Sequence, residues 1–77
     1  IKVTVAPITR TVTGLSSEVL VGPDNGLDHD CAIALDNVLT VPTSLLGRTV
    51  GFLTAAQEIA LAKAVGVAYD LELPLLD

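Results

Sequence analysis

The run Cys31–Val41, Cys-Ala-Ile-Ala-Leu-Asp-Asn-Val-Leu-Thr-Val, constrains the fold more than any other stretch of the chain. It is almost uncharged and rich in β-branched and aliphatic residues. Asp24-Asn25-Gly26 bounds it on one side and Pro42 on the other. These features predict a long central strand with both faces mostly covered. Asp36 and Asn37 break the run side by side, and a strand points adjacent side chains to opposite faces. One of the pair is therefore expected to face inward, into a bulge or into a site.

Around that strand there is little chain to work with. Seventy-seven residues make one small domain, and such a chain buries only about 60–65% of the surface it exposes when unfolded. Cys31 is the sole cysteine, so no internal disulfide helps. Half the residues are apolar, with Phe52 and Tyr69 the only aromatics. This apolar load predicts a tight aliphatic core, or apolar surface covered by a partner or a second copy.

Cysteine usage fits a reducing compartment. No segment reaches the ~18 uninterrupted apolar residues of a membrane span, and no signal peptide is apparent. A cytoplasmic location without membrane contact is the expectation. There is no methionine, and the chain opens directly on a strand-like run, so further sequence upstream of Ile1 is expected. Four Lys/Arg against nine Asp/Glu give a net charge of −5. A nonspecific nucleic-acid binder carries a basic stripe, so composition alone argues against RNA or DNA. It suits a basic partner, or a domain whose basic residues lie elsewhere.

Val3 and Val5 alternate with Lys2 and Thr4, the pattern of a half-buried strand, and Pro7 ends it or puts it on an edge. Thr9–Ser17 is hydroxyl-rich and contains Gly14, which predicts a loop or a flexible extension of two strands, and its place after an edge-like proline suits a functional loop. Glu18–Val21 is a short strand, followed by the strong turn Gly22-Pro23-Asp24-Asn25-Gly26. After the central run, Thr43 or Ser44 can cap a single helical turn. Arg48–Leu53 is expected as another strand, bent at Gly51. Thr54-Ala55-Ala56-Gln57 is a capping box and predicts a helix from about residue 55 to 69. That helix is apolar on most of its circumference, with Leu61, Val65 and Ala68 on one face and Ile59, Ala62, Gly66 and Tyr69 on another. It is expected to be covered on more than one side. The tail Leu71–Asp77 is expected to pack as an extended arm. Strands first and one helix last predict a mainly β domain, a curled antiparallel sheet or small barrel closed by a helix.

Few residues suggest chemistry. His29, between Asp28 and Asp30, reads as a metal ligand, a general base or a solvated loop cluster. No second histidine or cysteine at ligand spacing supports a metal site, and no cofactor motif is present. Cys31 can be a nucleophile if a base lowers its pKa, but a small buried hydrophobe at the head of a core strand is favoured. Asp36 and Asn37 either hold a loop and line a site, or face solvent and satisfy a turn. Arg10, beside Thr9, Thr11 and Thr13, is the local group best suited to a phosphate, because arginine forks onto phosphate oxygens and hydroxyls add donors.

Val3–Thr9, Gly14–Val19, Asn25-Gly26-Leu27, Ala32–Val41 and Leu46–Leu53 follow one another in an order that resembles the MazF/PemK family of toxin endoribonucleases, from about the third strand of that fold to its end. The resemblance implies an SH3-like, CcdB-type barrel with a C-terminal helix, in which residues 1–77 form a single domain lacking its N-terminal strands. It also implies a homodimer and a toxin that cleaves single-stranded RNA at short sequences without a metal or cofactor. In that chemistry the ribose 2′-hydroxyl attacks the adjacent phosphorus. A cognate antitoxin wraps the toxin and blocks the site. Thr9 falls on the family's catalytic threonine, with Arg10 and Thr11 beside it as RNA-binding residues. The family's arginine, in the loop after its first strand, has no counterpart in these residues and is expected upstream of Ile1. The alternative is a non-catalytic CcdB-like barrel that binds an antitoxin or another protein target.

Overall fold

Two segments change sheets at the same corner, and that corner sets the architecture. The computed structural model describes residues Ile1–Tyr69; the tail Leu71–Asp77 lies outside the described residues. β1 (Lys2–Val5) pairs antiparallel with β5 (Leu39–Pro42), Val3 opposite Val41. β2 (Ile8–Thr9) and β3 (Glu18–Val21) flank β4 (Cys31–Ala34) in a second antiparallel sheet of order β2-β4-β3. Thr9 and Leu20 both lie opposite Ala32 in that sheet.

The expected central strand is therefore not one strand. Cys31–Pro42 is two strands in two sheets, divided by a 3-10 turn at Leu35–Asn37. The register gives the reason. Between the paired positions Val5 and Ile8 lie two residues, Ala6 and Pro7; between Ile33 and Leu39 lie five, Ala34 to Val38. The surplus of three is the turn, and it bends the ladder where Pro7 cannot donate. The Pro7 carbonyl still accepts the Ala34 N–H at 2.9 Å, holding the corner closed.

β4 is the central strand of its sheet, and Cys31, Ala32 and Ile33 are all buried. β3 alternates: Val19 and Val21 are buried and Leu20 is exposed. Val19, Val21, Cys31, Ile33 and Leu35 meet Ala64 of α1 (Ala55–Ala68), with Leu61, Val65 and Ala68 packed around them. The inward face of the helix is the Leu61–Val65–Ala68 face, while Ile59, Val67 and Tyr69 are exposed. The capping box forms as expected. The Thr54 hydroxyl accepts the Gln57 N–H at 3.2 Å, and the Gln57 side chain accepts the Thr54 N–H at 2.8 Å.

Arg48–Leu53 is not a strand. Its backbone lies instead against the turn at Asn25-Gly26: a Cβ on Gly51 would collide with the Asn25 carbonyl, and one on Gly26 with the Val50 carbonyl. Such an approach of backbone to backbone admits only glycine at both positions. The helical turn after β5 is a 3-10 turn at Thr43–Leu45 whose cap position is Pro42, not Thr43 or Ser44. The Thr43 hydroxyl donates instead to the Ile1 carbonyl at 3.3 Å. Mainly β with a C-terminal helix describes the fold, but the described strands form two open sheets and do not close into a barrel.

Candidate active site

The sheet β2-β4-β3 has one face against α1. Its other face carries Thr9, Ala32, Ala34, Glu18 and Leu20, because side chains on opposite residues of a ladder share a face. The corner at Leu35–Asn37 and the loop between β2 and β3 rise on either side of that face. Between them lies a cleft of about 440 Å³, walled by Thr9, Thr11, Thr13, Glu18, Asp36 and Asn37, among others.

Thr9 is half-buried at the end of β2. Its Oγ1 accepts the Thr11 N–H at 3.1 Å, which leaves the hydroxyl proton to be donated elsewhere. Asp36 is fixed from below: the nearly buried Ser17 hydroxyl donates to its Oδ2 at 2.5 Å, and the Leu35 N–H donates to the Ser17 carbonyl at 3.1 Å. Both polar residues of the apolar run therefore stand in the wall of a cleft.

The threonines and the arginine expected to act together are separated. Residues 9, 11 and 13 keep an alternating direction and line the cleft; Arg10 does not. Its Nη2 lies 3.4 Å from Nδ1 of His29. His29 thus meets Arg10, and no group of three or more metal-ligating side chains occurs among the described residues. Cys31 is buried and its thiol donates to the His29 carbonyl at 3.4 Å, the arrangement of a core residue.

Glu18 was not singled out by the sequence, yet it makes more bonds at the cleft than any other side chain there. Its carboxylate accepts the N–H groups of Thr13, Gly14 and Leu15 and the Thr13 hydroxyl. Burial pushes its pKa up, but the Thr13 hydroxyl and the three amides outweigh this and hold it below the ordinary value. With Asp36 it makes the cleft acidic, and among the described residues no lysine or arginine lines it.

No family model matches the chain. The chain is 53% identical over 70 residues to Endoribonuclease MazF3 of Mycobacterium tuberculosis, a match that covers 91% of this chain and 68% of the relative. Its backbone superposes on the Mycobacterium tuberculosis toxin MazF-mt6 with a TM-score of 0.90 at 51% identity, covering 94% of this chain and 73% of that one. An endoribonuclease from a mycobacterial species, solved in complex with its cognate antitoxin, superposes with a TM-score of 0.81 at 26% identity, covering 95% of this chain and 69% of that one. Half of all residues shared over two thirds of the relative's length, on the same backbone, make this chain a member of the MazF family of toxin endoribonucleases.

Proposed function

We propose that the protein is the toxin of a toxin–antitoxin pair and cleaves single-stranded RNA at short specific sequences, without a metal or cofactor. The observation that carries this reading is the Thr9 hydroxyl, held by the Thr11 amide at the mouth of an open cleft on the helix-free face of the sheet. The ribose 2′-oxygen attacks the adjacent phosphorus and loses its proton. The bond to the 5′-oxygen breaks, and that oxygen takes up a proton. The products are a 2′,3′-cyclic phosphate and a 5′-hydroxyl. Negative charge grows on the non-bridging phosphorane oxygens, and Thr9 donates to one of them there. Thr11 steadies the strand in the cleft. Arg10, turned to His29, meets the RNA backbone on the flank rather than at the scissile phosphate.

The cleft is acidic, so the cation that neutralises the phosphorane has to be brought to it. In this reading it is the arginine that the family resemblance assigns upstream of the strands seen here, in a fuller domain that acts as a cytoplasmic homodimer. A cognate antitoxin covers the cleft, as suits a family in which one relative was solved with its antitoxin.

The test is cleavage of a single-stranded transcript by the full natural protein, with product ends mapped and a chelator present in parallel. Thr9→Ala should lower turnover by ~10²-fold or more with little loss of stability. Equal turnover by wild type and Thr9→Ala removes Thr9 from the mechanism, and dependence on added metal contradicts the metal-free reading.

A further inference from the structure

Glu18 opens β3 on the same face as Thr9, and one short stretch of loop gives its carboxylate four donors. Oε1 accepts the N–H groups of Thr13 at 3.2 Å, Gly14 at 2.9 Å and Leu15 at 3.2 Å; Oε2 accepts the Thr13 hydroxyl at 2.9 Å. Its own N–H donates to the Leu15 carbonyl at 3.0 Å. Three consecutive amides converging on one oxygen form an anion-binding nest, and here the protein supplies the anion. Gly14, at φ +79°, provides the left-handed residue that the convergence requires. Every hydrogen bond described for residues 11–16 goes to Thr9 or to Glu18.

We infer that Glu18 is a positioning residue: it fixes the Thr11–Leu15 loop as one wall of the Thr9 cleft and so sets how tightly the cleft holds an RNA strand. The assignment rests on the reading of that cleft as the RNA site. The Thr9 backbone is tied to β4 by the ladder opposite Ala32, and the loop reaches the Thr9 hydroxyl only through the Thr11 N–H, which is not among the groups bonded to Glu18. Glu18 therefore acts mainly on substrate binding, with a smaller effect on the chemical step. Its pKa, held below the ordinary value, keeps the carboxylate ionised and the loop tied at neutral pH.

The experiment is steady-state cleavage by the full natural protein. A long single-stranded transcript locates the most cleaved position, and a short fluorogenic oligonucleotide bracketing it gives KM and kcat. Glu18→Gln keeps the size of the side chain and leaves one oxygen for the three amides, but it removes the charge that strengthens those bonds and puts an amide NH2 against the Thr13 hydroxyl. KM should rise about tenfold, the equivalent of one charge-assisted hydrogen bond, with kcat within about twofold of wild type. Thr13→Val removes only the hydroxyl donor and should raise KM by less. Amide exchange at Thr13, Gly14 and Leu15 should speed up in Glu18→Gln while the β4 amides stay protected. An unchanged KM with those amides released overturns the assignment. So does a lowered KM, which would mean that the nest binds RNA phosphate and Glu18 competes for it. Wild-type protein that cleaves no single-stranded RNA overturns the functional reading itself, a different result from either.

Discussion

Replacing Asn25 by alanine removes four hydrogen bonds at one point. Asn25 is only 7% exposed. Its Nδ2 donates to the Phe52 carbonyl at 2.8 Å and to Gln57 Oε1 at 2.6 Å. Its Oδ1 accepts the Gly22 N–H at 3.1 Å and Gln57 Nε2 at 2.9 Å. The two side-chain amides thus pair reciprocally and join three pieces of chain: the turn before β4, the irregular segment before α1, and the first turn of the helix. Each such bond contributes about 0.5–1.5 kcal/mol net, and a buried group left unpaired costs more, so Asn25→Ala should cost about 2–4 kcal/mol. For a chain of this length the whole stability is about 4–12 kcal/mol, so the effect is large. Urea unfolding of the full natural protein measures it. A double-mutant cycle with Gln57→Ala should return a coupling of about 1–2 kcal/mol for the reciprocal pair. A coupling below about 0.5 kcal/mol would falsify the claim that the amide pair acts as a unit.

Two further outcomes concern backbone and charge. A Cβ on Gly51 meets the Asn25 carbonyl, which has no side-chain torsion to rotate it away, whereas the Cβ position at Gly14 is open and only its φ of +79° resists. Gly51→Ala should therefore cost about 3 kcal/mol and Gly14→Ala about 1 kcal/mol, an ordering that denaturant midpoints report; the reverse ordering contradicts the packing. Because the folded pKa of Glu18 lies below its ordinary value of 4.5, the stability it contributes is fully present above that value and is lost as pH falls through the folded pKa. Asp36 faces the same cleft, so the Glu18 share is the difference between wild type and Glu18→Gln. That difference in thermal midpoint should shrink on acidification below pH about 4.5, and parallel curves refute it.

Local signals in this chain were legible and corner signals were not. The capping box at Thr54 and Gln57 needs only four consecutive residues, and it forms as read. Pro7 does mark the end of β1, and the half-buried alternation of Val3 and Val5 is correct. The central run misled because its two halves have the same aliphatic composition while belonging to different sheets. Strand propensity reports burial on a pleated surface, not which partner supplies it. The adjacent Asp36 and Asn37, both turn formers, were the sign of the break, and Pro7 on the opposing segment was its cause. Arg48–Leu53 has strand composition but joins no sheet among the described residues, and Gly51 carried the true message of close backbone approach.

At the cleft, Thr9 and Thr11 share a wall while Arg10 turns to His29. Alternation continues past the end of β2, so Arg10 could have been sent away from Thr9 and Thr11 by parity alone. Glu18 escaped notice because its role is a loop contact at short range. The only cue was a glutamate placed four residues after Gly14, at the point where the loop re-enters the sheet.

The ribbon β1–β5 contains no buried residue: Lys2 and Thr4 are exposed, as are Leu39, Thr40 and Pro42, and the rest are half-covered. Two strands without a buried face are marginal by themselves, while β2-β4-β3 shares its core with the helix. Among the described residues the packed core therefore lies on one side of the corner of Pro7 and Leu35–Asn37, and the ribbon lies on the other. Asp36 and Asn37 belong to that corner and also to the cleft wall. Bending of the ribbon would carry Asp36 and Asn37 with it, so whatever covers the ribbon should also set the width of the groove beside Thr9.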